Sequence, residues 1–237
     1  MHAEDLRRRK TPIFACWQLR SPFDVERWKL SVGRFPRLSP SVSRVLASDP
    51  MTTLSSAHEL MSVEDYLVTE ESFEVKREYL AGMIYAMAGA SEAHNRIATN
   101  LIVGLGNRLR GKSCEPFGSD MKVRFEWLGE TYFYYPDAMI ACDPTDTGHG
   151  WRERPAALFE IISEDRRRVD EREKRVHYLQ LPSLLYYVRI EQDRPEVIVD
   201  QRSAGWSPER IKGLEAILDL PDLAISLPLA ELYARVL

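Results

Sequence analysis

The 237-residue chain holds no uninterrupted apolar run near the roughly 20 residues that a membrane-spanning helix needs. It has no secretory core segment near its start. It therefore reads as a soluble, cytoplasmic protein with no membrane partner. Cysteine is scarce: Cys16, Cys114 and Cys142 lie far apart, with no CxxC pair and no Cys/His group at zinc spacing. That excludes a zinc ribbon and a dithiol redox centre, and the three read as packing thiols in a reducing compartment. A Gly-x-Ser-x-Gly elbow is absent, as is a glycine-rich phosphate loop, which removes the serine-hydrolase and P-loop classes. Nor is there a basic excess, since 32 Lys/Arg stand against 36 Asp/Glu for a net charge of −4. Tight sequence-independent DNA binding is disfavoured by that balance, although a bound divalent cation can reverse the field locally.

With 44% hydrophobic residues the chain can bury a full core, as one domain with a tail or at most two small domains. Residues 1–50 differ from the rest. They carry ten of the basic residues but five of the acids, +5 against −9 for 51–237, and are punctuated by Pro12, Pro22, Pro36, Pro40 and Pro50. No helical or strand period persists there. The segment reads as an N-terminal extension with no structural role, preceding a start at Met51. The competing readings are a basic arm for a phosphate backbone and a transit peptide, and Glu4, Asp5, Asp24 and Glu26 count against the latter.

From Met51 onward the pattern is regular. Ser62-Val-Glu-Asp65 predicts a capping box opening a short helix through Leu67. Phe73 to Leu80 and Met83 to Met87 predict two strands about Ala81-Gly82. Ser91 should cap a helix to about Leu109, with Ile97, Leu101, Leu105 and Leu109 on one face. Cys114 to Glu126 and Tyr132 to Cys142 read as two strands about a turn at Leu128-Gly129. The almost continuously apolar Ala156 to Ile162 reads as a strand buried on both faces. A charged helix from about Asp165 to Leu181, strands at Leu184 to Ile190 and Glu196 to Val199, and a closing helix at Leu227 to Leu237 complete the reading. The order predicts a central mixed sheet flanked by helices, an α/β (α+β) architecture.

Glu160 is out of place in its apolar strand, because an ionised carboxylate buried there is costly unless paired or bound to a cation. A buried ion pair with an arginine is the plainer explanation, and a functional site the other. Asp137 follows Pro136, whose missing N–H belongs at a sheet edge or bulge that would re-aim the next side chain. Two strands with one misplaced carboxylate each would let Asp137 and Glu160 share one Mg²⁺, or Mn²⁺, a hard ion with oxygen ligands. Lys174, on the charged helix, would be able to orient a metal-bound water or stabilise charge on a phosphate. On residue chemistry alone a solvated face is its default. His94, near a helix start, reads first as a backbone-bonded histidine and second as a general base.

Pro136-Asp137, Glu160 and a nearby lysine resemble the PD-(D/E)XK nuclease pattern. More specific is a resemblance to the Uma-two family of restriction endonucleases, over nearly all of 60–235. It is carried by Arg77 to Met87 (REYLAGMIYAM), Gly89 to His94 (GASEAH), Phe117 to Asp120 (FGSD), Tyr135-Pro-Asp137, and Val169 to Lys174 (VDEREK) through Tyr178 to Leu181-Pro-Ser183. The resemblance implies a restriction-endonuclease-like core with Asp137 and Glu160 as metal ligands. It places the active-site lysine at Lys174 on a helix, where Ile162 stands two residues after the acid, and adds Glu78 as an accessory acid. The implied activity is Mg²⁺-dependent cleavage of DNA by a cytoplasmic endonuclease, and a homodimer is attractive because one centre cuts one strand. The chain departs from the family at Ser163-Glu-Asp-Arg166, where the family runs Ser-Pro-Ser-Thr. That departure favours the alternative, a catalytically degenerate nuclease fold serving as a nucleic-acid or protein binding module.

Overall fold

The computed structural model describes residues 60–87, 89–162 and 173–236. The expected extension at 1–50, the start at Met51 and the Ser163-to-Arg166 departure lie outside them, as does the first half of the charged helix.

The first helix, α1 (Val63–Glu70), begins as its sequence dictates: Ser62 is the N-cap and its hydroxyl accepts from the Asp65 N–H at 3.0 Å. Strands β1 (Arg77–Leu80) and β2 (Met83–Ala86) form a hairpin. Its turn needs positive φ at both central residues, met by Ala81 (50°) and Gly82 (91°). The pairing is shorter than the apolar runs suggest, since Phe73 and Val75 stay exposed. Helix α2 (Glu92–Leu109) is capped by Ser91 and buries Ile97, Leu101, Leu105 and Leu109, the stripe its period predicts.

The expected pair of strands about Leu128-Gly129 is broken into four. Strands β4 (Lys122–Trp127) and β5 (Glu130–Tyr134) pair next to the turn, whereas β3 (Glu115–Gly118) and β6 (Ala138–Ala141) pair further out, in a different sheet. Between the Val123–Tyr134 and Gly118–Ala138 pairs, one arm spends residues 119–122 and the other 135–137. One surplus residue breaks the ladder at Pro136, which has no N–H to give it. The register irregularity the strands do show lies further on, at Ile140/Ala141.

One sheet therefore runs β2-β1-β5-β4-β7, with β7 at Trp151–Arg152. The other runs β11-β10-β9-β8-β6-β3, built on β8 (Pro155–Ile162), β9 (Tyr186–Glu191), β10 (Glu196–Gln201) and β11 (Pro208–Lys212). The pairings β8–β9 and β4–β7 are parallel and the rest antiparallel, so both sheets are mixed. The single central sheet of the sequence reading is thus divided. A third, two-stranded sheet, β12 (Ile217–Leu220) and β13 (Ile225–Pro228), was not anticipated. The closing helix shrinks to one turn, α4 (Leu229–Leu232). The described part of the charged helix is α3 (Glu173–Tyr178).

Every residue of β8 is buried, because its two faces meet different cores. Phe159, Ala157 and Ile161 pack with Ile97, Leu101 and Leu105 of α2 and with Leu218, Leu227 and Leu232 near the C-terminus. Leu158 packs with Met139, Tyr187 and Tyr178 against Leu80, Val123, Phe125 and Tyr134 of the other sheet. Helix α1 covers that sheet's remaining face through Tyr66, Tyr79 and Phe133. No helix among the described residues is long and apolar enough to cross a membrane.

The cysteine expectation is overturned. Glu115 pairs with Ala141, so the next step outward sets Cys114 opposite Cys142, and the two form a disulfide.

Candidate metal centre

The break at Pro136 delivers Asp137 to the start of β6. Ala138 pairs with Phe159 and Met139 with Leu158, so the next position in the antiparallel register sets Asp137 opposite Glu160. Directly opposed residues hold their Cβ atoms about 4.5–5.5 Å apart. Ser119 and Asp137 each lie one residue beyond the Gly118–Ala138 pair of the neighbouring strands. Glu160 in turn pairs with Arg189 of β9. Ser119 and Asp137 thus follow and precede their strands at the edge of the level at which Glu160 pairs with Arg189.

The two carboxylates have different partners. Asp137 Oδ2 accepts the backbone N–H of Ile161 at 2.6 Å, and its Oδ1 lies 3.2 Å from Nε2 of His94. His94 reaches it from the first turn of α2, where its own N–H is capped by Ser91. The reading of His94 as a merely backbone-bonded histidine missed this contact.

Glu160 is 5% exposed and turns toward α3. The hydroxyl of Tyr178 donates to its Oε1 at 2.9 Å, and the Lys174 ammonium lies 3.3 Å from the same oxygen. Lys174 is also 3.0 Å from Oε1 of Glu78, which accepts the N–H of Tyr135 at 3.1 Å. Far from riding a solvated face, Lys174 is 7% exposed, and with Glu160 and Glu78 (8%) it forms a buried triad. Lys174 and Tyr178 are one helical turn apart and so address the same carboxylate. A network this well satisfied fixes its geometry more than it adds stability.

Below Lys174 lies an aromatic floor. Its ammonium stands 5.6 Å from the Tyr134 ring centroid, and the Tyr134 hydroxyl is 2.7 Å from Nδ1 of His177. Burial pushes the Tyr134 phenol well above its ordinary value and the His177 imidazole below its own. The phenol therefore stays protonated and His177 neutral, and the two share one hydrogen bond whose direction follows the tautomer of the ring.

Asp137 and Glu160 are hard oxygen donors, and Mg²⁺ typically takes one or two carboxylates and completes its octahedron with water. Their chemistry and their opposed positions fit such an ion. Among the described residues no three His, Cys, Asp or Glu side chains are grouped closely enough to make a cage without that water.

Comparison with known proteins agrees with this architecture. The sequence model of the Uma2 family, described as "Putative restriction endonuclease", matches residues 63–230. Two uncharacterised proteins of Synechocystis sp. are each 31% identical. One match spans 56% of this chain and 76% of the relative, and the other 58% and 72%. A crystal structure described as "a putative nuclease belonging to DUF820", from Anabaena variabilis, superposes with a TM-score of 0.58. It is 17% identical and covers 70% of this chain and 93% of its own length. At that identity the likeness establishes the fold.

Proposed function

Because the chain belongs to the Uma2 family, we propose that it is a metal-dependent nuclease that hydrolyses phosphodiester bonds in DNA. The observation that carries the reading is that Asp137 Oδ2 accepts the N–H of Ile161, the residue after Glu160, at 2.6 Å, with the Lys174 ammonium 3.3 Å from Glu160.

Asp137 and Glu160 would hold Mg²⁺ or Mn²⁺, which when bound lowers the pKa of a water ligand and offsets charge on the attacked phosphate. Lys174 stands beside Glu160, placed to orient the attacking water or to stabilise charge on a phosphoryl oxygen. Glu78 holds the other side of that ammonium, and its own position is fixed by the Tyr135 N–H. Tyr178 orients Glu160 through a hydrogen bond to Oε1. His94 sits on Asp137 and would set the direction of its Oδ1.

One observation favours the rival reading of a binding module. Lys174 already compensates Glu78 and Glu160, so part of the acidic charge that would attract a cation is neutralised from within. Incubating supercoiled plasmid with Mg²⁺ or Mn²⁺, wild type beside Asp137→Ala, separates the two. Nicking by the wild type alone supports the nuclease. Equal nicking by both, or none by either across metals, sinks it.

A further inference from the structure

Ser119 and Asp137 lie either side of one strand pairing, each one residue beyond the Gly118–Ala138 pair, and at Ser119 the chain gathers positive charge. Lys76 donates to the Ser119 carbonyl at 2.8 Å and to its hydroxyl at 3.1 Å. Its ion pair with Asp120 is 2.6 Å long, but the Asp120 side chain is 94% exposed. A pair that wet contributes little and exchanges readily for another anion. The same ammonium lies 5.6 Å from the ring centroid of Tyr135.

Lys122 converges on the same tyrosine, with its ammonium 5.2 Å from the ring centroid and 3.3 Å from the phenolic oxygen. That phenol donates its proton to Oε1 of Glu70 at 3.0 Å, which leaves its oxygen free to accept from Lys122. Glu70 is itself committed to Arg77. Among the described residues no carboxylate stands within ion-pair distance of Lys122, although the side chain is half-buried. Burial pulls its pKa down, partly offset by the charges of Glu70 and Glu71. A partly desolvated ammonium with no carboxylate in direct contact can accept a further anion.

Tyr135 stands two residues before Asp137, roughly 7 Å along extended backbone. We propose that Lys76 and Lys122, gathered at Tyr135, form a subsite for a backbone phosphate of nucleic acid flanking the bond cut at Asp137 and Glu160. The inference rests on the nuclease reading and supplies what the acidic composition of 51–237 lacks, a local cationic contact beside the carboxylates. It reads phosphate and not base, so it serves affinity and positioning without sequence preference.

The test is fluorescence anisotropy of a fluorescein-labelled DNA duplex, titrated with wild type, Lys76→Met, Lys122→Met and Lys122→Arg over a series of salt concentrations. Each methionine variant should weaken binding and flatten the slope of log affinity against log salt by about 1. The arginine variant should keep the wild-type slope. Methionine retains the packing of the stem, and melting temperature verifies folding. Should Lys122→Met fail to fold, Lys76→Met and a charge-neutral Lys122→Gln carry the comparison. Wild-type slopes in the neutral variants, from a protein that binds and nicks DNA, overturn the subsite and leave the nuclease standing. A wild type that neither binds nor cuts overturns both.

Discussion

The Lys174 ammonium stands 3.3 Å from Oε1 of Glu160 and 3.0 Å from Oε1 of Glu78, with all three side chains at least nine-tenths buried. One cation thus serves two carboxylates that arrive on different sheets. Removing it takes that cation from both carboxylates, so Lys174→Met should lose about 3–5 kcal/mol of stability. Adding Glu78→Gln should return part of that loss, because one of the two buried carboxylates it served is gone. Urea denaturation of the two single variants and the double variant measures the coupling. Strictly additive losses would mean that Lys174 and Glu78 do not interact as their separation implies.

Asp137 and Glu160 give a prediction that needs no substrate. Isothermal titration of the wild type with Mn²⁺ should register binding, and Asp137→Ala should abolish the heat with the fold intact. Nicking should fall by about two orders of magnitude or more, the scale lost when one preorganised group leaves a reacting centre. Identical Mn²⁺ isotherms for the two proteins would remove Asp137 from the ligand set.

Much of this arrangement is legible in the sequence because its signals are local. Ser62 and Ser91 announce their helices through the cap, and the apolar run of β8 announces a strand with both faces covered. Glu160 is conspicuous for the same reason: it is a charge where the local rule demands a hydrocarbon. The division of one long hairpin between two sheets is not legible in this way. It follows from a single surplus residue between Val123 and Gly118 relative to Tyr134 and Ala138, a mismatch that exists only once the register is fixed. The burial of Lys174 was hidden by its charged neighbours, which suggest solvent. Its depth is set by how α3 meets the opposite sheet, and that is a tertiary fact. His94 and Asp137 are 43 residues apart in sequence and share no local pattern.

The Cys114–Cys142 disulfide falls in the same class, since the pairing comes from register and not from spacing. Its sequence separation is 28 residues. Closing a loop of that length in the unfolded chain is worth about 3.5 kcal/mol in the chain-entropy account. Cys114→Ala/Cys142→Ala should therefore melt lower than the oxidised wild type and should match the reduced one. Thiol titration in denaturant decides whether the bond forms in the purified protein. Of the three cysteines, Cys16 alone should react before reduction, and all three after it.

His177 gives the stability its pH dependence near the site. Its ring lies among Phe125, Trp127, Tyr132 and Tyr134, with centroids 6.0, 4.8, 4.7 and 5.8 Å away. Burial alone lowers its pKa, so folding binds the neutral form in preference to the charged one. The unfolded imidazole takes up its proton near pH 6.5 while the folded one still resists. Stability from this residue is therefore complete above that pH and drains away as the pH falls through 6.5 toward the folded value. His177→Phe fills the aromatic box with a ring that does not titrate, but it gives up the bond to Tyr134, at a cost of about 1 kcal/mol near neutral pH. Melting curves of the two proteins should accordingly converge, and then cross, as the pH is lowered from about 7.5 to 5. Subtracting one curve from the other cancels the remaining histidines, which both proteins share. Parallel curves would mean that the imidazole protonates in place, and that the Tyr134 ring under Lys174 is not held by a neutral partner.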